Sequence, residues 1–498
     1  MCHQYHWLLR CSETLIVSLH VRGAGRAMNA VNEKLQKLLG KDRVVTDPII
    51  IRLYSREATG LESDSLPTAV VLAENASDVS RLLAFAHKHN IKVYPQGSTT
   101  SLSGSALPSD GIVLSLERMD RVKHVSVVDG IAVTEPGVRI DDLNIELARY
   151  GYMFPVDPAS SPVATVGGAI NSGAGGMRGA KYGTMRDWVL GLEIVLPDEE
   201  GTVMRIGCKT VKCRQGYDLV RLIVGSEGTL AVVTEATLRI MPLPEAVVTV
   251  LAFFEELADL VNTVVEIKEE RLQPLIMEFM DSRTVERAVK FLEWPGKIRG
   301  HMLLVSIDIN YEAANRILDR LERIVERNGA SLVYTASNLE EANRKGLFDL
   351  RRSLFPAQVA LARSTTRSGK VLVYVEDIAV PPSRLAEAVE RLRALEEKYG
   401  LPMMLGGHIG DGNLHPAVGF DPEDADARKS VEAWFFNVMR LAVEFGGTIS
   451  AEHGIGVMKK EGLKMELESL GSLKALELMR AIKQVFDPKG ILNPGKVV

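Results

Sequence analysis

Residues 155–183, PVDPASSPVATVGGAINSGAGGMRGAKYG, carry so much glycine and so few large apolar side chains that most of them must be irregular backbone. A long irregular segment is uncommon inside a compact domain and is usually functional. The rest of the chain must therefore supply a scaffold to hold it. With 498 residues the chain exceeds what one hydrophobic core usually serves, which predicts two or more domains.

Scaffold signals flank the segment. "TAVVLA" (68–73) reads as a strand, followed by Ser77 as a helix cap, Val79, Leu82, Leu83 and Ala86 at helical spacing, and the strand "IKVYP" (91–95). Asp129-Gly130 between two alternating apolar runs predicts a tight hairpin, and "IDDLNIELARYG" (140–151) an amphipathic helix closed by Gly151. Pro242 and Pro244 mark a boundary. From 246 to 336, "VVTVLAFF", "PLIMEFM", "HMLLVSIDI" and "SLVYTA" alternate with charged amphipathic helices, the pattern of a second α+β domain. Residues 1–27 form neither a signal-peptide core nor a sustained helical stripe, and are read as an unstructured extension before a more regular sequence from Met28.

Composition narrows the chemistry. The chain is 46% hydrophobic and 25% charged, and no apolar run approaches the roughly 18 residues of a membrane span. Its net charge of -5, with both signs interspersed, argues against a nucleic-acid surface and for small-molecule work. Cys2, Cys11, Cys208 and Cys213 include no C-x-x-C, so neither a disulfide framework nor a metal–sulfur knot is expected, and a reducing, cytoplasmic setting is.

Three glycine-rich stretches compete for a phosphate. "GAGGMRG" fails the dinucleotide fingerprint because Arg178 takes the place of the final glycine, and "GILNPGKV" fails the Walker pattern because Val497 replaces the hydroxyl. "PQGSTTSLSG" (95–104) follows a strand and offers closely spaced amides and hydroxyls but no lysine or arginine. Such a loop suits a phosphate that is held and not transferred, as in a cofactor pyrophosphate.

His408 and His415 in "GGHIGDGNLHPAVGF" and His453 in "SAEHGIG", beside Glu452, lie in glycine-rich segments. Any one histidine alone reads as a turn cap; the four residues together read as a site for a catalytic divalent metal with open positions. A 2-hydroxy acid would chelate such an ion through its carboxylate and hydroxyl, leaving His453 as general base. The hydride then needs a cofactor, which the pyrophosphate loop provides.

"PQGSTTSLSG", "VDPASSPVATVGGAINSGAGG", "KYGTMRDWV", "GYDLVRLIVGSEGTLAVVTEATLRI", "GHIGDGNLHP", "SAEHGIG" and "FDPKGILNPGK", in this order, resemble flavoproteins of the vanillyl-alcohol oxidase fold. The similarity is to the branch of the glycolate oxidase catalytic subunit, D-lactate dehydrogenase and D-2-hydroxyglutarate dehydrogenase. The resemblance implies an α+β fold: a two-lobed FAD-binding domain (28–242), an inserted α+β, ferredoxin-like cap (243–450), and a C-terminal segment (451–498) completing the FAD site. It implies FAD with its pyrophosphate on Gln96, Gly97, Ser98, Thr99, Thr100, Ser101 and Gly104, and further contacts from Pro158, Ser160, Thr165, Gly167, Gly168 and Ser172. Val233 would lie near the adenine and Asn493 near the isoalloxazine. Residues 95–104 contain no histidine, so the flavin is expected to be non-covalent.

His408, His415 and Glu452 carry over as ligands of zinc, manganese or iron, and His453 as the base that accepts the hydroxyl proton while hydride passes from the substrate to flavin N5. Arg351 takes the position that holds the substrate carboxylate, with Arg352 adjacent. The region after Arg351 departs from the 2-hydroxyglutarate enzymes, which favours glycolate or D-lactate over a longer dicarboxylate. A D-2-hydroxyglutarate dehydrogenase and a non-redox transferase like the alkylglycerone-phosphate synthases are the alternatives. Reoxidation would need an external acceptor: a quinone, an iron–sulfur subunit or an electron-transfer flavoprotein, which could bring the protein to a membrane surface. A homodimer is compatible with this reading.

Overall fold

The computed structural model describes residues 21–294 and 298–498. Residues 1–20 lie outside the described residues, and the helix Val21–Leu39 begins inside the segment expected to lack structure. Its Leu35 and Leu39 enter the core of the first sheet, so the helix belongs to the fold.

That sheet has four strands in the order Val44–Val45, Ala69–Leu72, Ile112–Ser115, Val93–Gln96, and the last three run parallel. Asn75, not Ser77, caps the helix Ala76–His89, its side chain accepting from the amide of Asp78. The second sheet is antiparallel, in the order Val122–Ser126, Ile131–Thr134, Val232–Arg239, Val189–Val195, Val203–Gly207, and includes the hairpin expected at Asp129-Gly130. The 155–183 segment is less irregular than its glycine content suggests, because Thr165 caps the helix Val166–Ser172. Gly167 lets that helix start lie against Pro136; a Cβ there would stand 2.5 Å from the Pro136 Cβ.

The third sheet has eight strands. Seven follow the order Leu332–Ala336, Ala246–Phe254, His301–Ile309, Ile276–Met280, Met403–His408, Asn413–Phe420, Leu372–Val375, and Ile378–Ala379 pairs with Asn413–Phe420. All four strands read between 246 and 336 are present. Along Ala246–Phe254, Val248, Val250 and Ala252 enter one core while Val247, Leu251 and Phe253 enter another. Helices cover both faces, which is why this strand reads as a continuous apolar run and not an alternating one.

The C-terminal segment returns to the first sheet: the amide of Val93 donates to Ile491 O and that of Asn493 to Val93 O, both at 2.8 Å. Cys208 and Cys213 form a disulfide, which corrects the expectation of none. The loop between them folds back until their Cα atoms are 6.0 Å apart, within bridging range, a closure that spacing rules for cysteine motifs do not register. No helix among the described residues is long and apolar enough to cross a membrane.

Candidate active site

His408 and His415 are not on a flexible loop. They occupy adjacent strands of one hairpin, Met403–His408 and Asn413–Phe420, with Gly406 paired to His415 and His408 to Asn413. His408 therefore sits diagonally across from His415 on the same face of the sheet, and their ring centroids are 5.0 Å apart. The glycines answer to two needs. Gly412 turns the chain at φ +88°, and a Cβ on Gly407 would stand 2.2 Å from the carbonyl oxygen of Asn413.

Glu452 and His453 reach the histidines from a turn that two buried carboxylates hold in shape. Asp377 Oδ2 accepts the amides of Ala451, Glu452 and His453 at 2.9, 2.8 and 2.7 Å. Glu227 accepts those of Ile455 and Gly456 at 2.6 and 2.8 Å. Below the turn, the buried pair Lys459–Glu376, at 2.8 Å, ties the segment to the residue following the strand Leu372–Val375.

Three imidazoles converge on one oxygen. Glu452 Oε1 lies 3.3 Å from His408 Nε2, 3.4 Å from His415 Nε2 and 3.9 Å from His453 Nε2, and the His415 and His453 rings stack. Asp377, His415, Glu452 and His453 also offer ligand atoms within 4.8 Å of one another. Asp377 is already committed through Oδ2, however, and its Oδ1 faces His415 Nδ1 at 3.8 Å, which makes it an orienting group more than a ligand.

The electrostatics follow from burial set against charge. Burial opposes ionisation of Glu452, but hydrogen bonds from His408 and His415 outweigh it and hold the carboxyl well below its ordinary range. Burial likewise opposes the His408 cation, and Glu278 and Glu452 overcome it to raise its pKa well above the usual value. At His453 burial prevails and lowers the pKa to about 4, so the ring is neutral near pH 7.

Arg351, on the helix Asp349–Arg352, bonds through Nε to Glu278 Oε2 at 2.6 Å, and its terminal nitrogens have no partner among the described residues. Glu278 Oε1 is 2.6 Å from His408 Nδ1. Arg351, His408, His415, Glu452 and His453 all line one cavity of about 1170 Å³. Its volume exceeds the roughly 300–1,000 Å³ of ordinary ligand pockets, leaving room for a large cofactor beside a small substrate.

The same cavity is lined by Gln96, Gly97, Ser98, Thr99, Thr100 and Ser101, and by Pro158, Ser160, Thr165, Gly167, Gly168 and Ser172. The amides of residues 97–101 donate to no acceptor among the described residues, and Thr99 adopts φ +52°. Consecutive free amides around a left-handed residue make an anion-binding concavity, so the residues present fit a pyrophosphate. A side chain on Gly97 would meet Thr165 Oγ1 at 2.2 Å, so glycine lets the two loops close on each other.

Three expected contacts do not line the cavity. Val233 is wholly buried in its strand. The Gly104 amide donates to Glu57 at 2.9 Å, and Asn493 Nδ2 to the carbonyls of Glu227 and Ser105 at 2.6 and 3.1 Å. These polar groups shape the cradle from behind. Sequence reasoning missed Glu278, Asp377 and Glu227; for the first two the signal was acidic residues inside apolar text, "LIMEFM" and "VYVEDIAV", which a buried segment carries only when the charge has partners, whereas Glu227, in the turn text "VGSEGTL", gave no such signal.

Comparison with known proteins identifies the family and the fold. Residues 67–207 match the family described as FAD binding domain, and residues 243–497 that described as FAD linked oxidases, C-terminal domain. The chain is 36% identical to glycolate oxidase subunit GlcD of Bacillus subtilis, over 94% of this chain and 96% of the relative. It is 40% identical to a D-lactate dehydrogenase of Archaeoglobus fulgidus, over 86% and 91%. A solved structure of p-cresol methylhydroxylase with substrate bound superposes with a TM-score of 0.76 at 19% identity, covering 94% of this chain and 96% of that one.

Proposed function

The chain belongs to the FAD-linked oxidases, and from that premise we propose that it oxidises a small D-2-hydroxy acid, glycolate or D-lactate, to the 2-oxo acid. The observation that carries the reading is the convergence of three imidazoles on Glu452 Oε1, in the same cavity as the amide cradle and Arg351. Gln96–Ser101 and the Pro158–Ser172 loop would hold FAD without a covalent bond, with Gly104 and Asn493 supporting them. His408, His415 and Glu452 would hold zinc, manganese or iron. Bound FAD supplies a hydride acceptor, and the cation supplies Lewis-acid polarisation of the substrate hydroxyl.

The side chains do the rest. The free terminal nitrogens of Arg351 match a carboxylate in a two-point clamp. His453, neutral at working pH, accepts the hydroxyl proton. Electrons would leave to an external acceptor, a quinone, an iron–sulfur subunit or an electron-transfer flavoprotein, because the sequence holds no cysteine cluster of the kind that ligates an iron–sulfur relay.

The test is a panel of glycolate, D-lactate and D-2-hydroxyglutarate with an artificial dye, before and after chelation. Dye reduction by the small acids that chelation abolishes and added metal restores is the expected result. Equal turnover in stripped protein would refute the cation's role, and exclusive turnover of D-2-hydroxyglutarate would refute the substrate assignment.

A further inference from the structure

Resting on that reading of the site, we infer that Glu278 is a positioning residue that holds the cation-binding imidazole and the acid-binding guanidinium in a single arrangement. Glu278 lies on the strand Ile276–Met280, in the interior of the eight-stranded sheet, with its side chain wholly buried. The strand pairs with Met403–His408 in the register Phe279 to Gly407, so one further step along the ladder sets Glu278 opposite His408. Arg351 reaches the same carboxylate from a different element, a helix whose Leu350 packs into the core on that face of the sheet.

Each oxygen of Glu278 has its own partner: Oε1 is 2.6 Å from His408 Nδ1, and Oε2 accepts from Arg351 Nε at 2.6 Å. A buried carboxylate is costly unless both oxygens are satisfied, so this is a built arrangement. The two bonds have opposite consequences for the two partners. With its Nδ1 proton given to Glu278, His408 keeps Nε2, the nitrogen that faces Glu452, for a cation that would replace the proton there. At Arg351 the bond uses Nε alone, and the terminal nitrogens keep no partner among the described residues on a side chain that lines the cavity, which leaves a fork that a carboxylate can accept. One carboxylate therefore sets the tautomer of a ligand and the aim of a clamp. A residue that only pinned a helix to a sheet would do neither.

The experiment uses flavin-loaded Glu278→Gln beside wild type. Zinc affinity is read by competition with a chromophoric chelator, oxalate affinity by perturbation of the flavin spectrum, and KM and kcat with D-lactate. The expected result is zinc affinity reduced by about 10- to 100-fold, weaker oxalate binding, and a raised KM with kcat at saturating zinc and acid much less affected. A variant that binds zinc and oxalate as wild type does overturns the inference. If E278Q yields no flavin-loaded protein, Glu278→Asp decides. It keeps the charge but is too short to span both partners, so it should lose at least one affinity, and retention of both again overturns the role. Wild-type protein that holds FAD yet takes up no zinc overturns the reading of the site itself, and with it Glu278's part.

Discussion

At Glu452 Oε1 three imidazole nitrogens gather within 3.9 Å of one oxygen. The ligand candidates were legible because each stands in a glycine-rich motif, where a histidine has few packing reasons to be. Glu278 and Asp377 were not, because a buried acid in apolar text carries meaning only once its partner, 130 residues away for Glu278 and His408, is known. The proposed base is the most exposed claim at this scale. His453→Ala should lower kcat by about 10²–10⁴-fold while the flavin absorbance stays intact, and a variant turning over at the wild-type rate would exclude His453 from proton transfer.

The elements show where local pattern sufficed. The four strands between 246 and 336 and the hairpin at Asp129-Gly130 were readable because period and turn chemistry are properties of adjacent residues. The histidine hairpin was not legible, since its glycines resemble a flexible segment when only the text is seen. In the fold Gly406, Gly407 and Gly419 are strand residues that allow close approach of a neighbouring strand or of packed side chains, and Gly412 makes the turn between the strands. Gly407→Ala would drive a methyl into the Asn413 carbonyl and should cost about 1–3 kcal/mol, seen as a lower melting temperature together with weaker zinc uptake. Unchanged melting would mean that the hairpin yields without strain. The same limit applies to Asn75, which wins the cap from Ser77 because its side chain reaches the Asp78 amide.

At the scale of the whole molecule, the proposed cation draws ligands from the third sheet and from the C-terminal segment, which also pairs with the first sheet. Zinc at one hundred times its dissociation constant should therefore stabilise the fold by about 2.7 kcal/mol, raising the melting temperature, and dialysis against chelator should reverse this. Melting that ignores zinc would show that no ion bridges these parts. By itself the sequence determined the α+β class and the strands named above, and it marked out the proposed pyrophosphate loop and ligand candidates, because periodicity, turn residues and motif order are written locally. Only the tertiary structure decided that the cradle and the histidines share one cavity, that Gly104, Val233 and Asn493 stand outside it, and that Cys208 meets Cys213. Those outcomes depend on burial and on contacts between distant strands, where one carboxylate such as Glu278 takes its role from the elements brought against it.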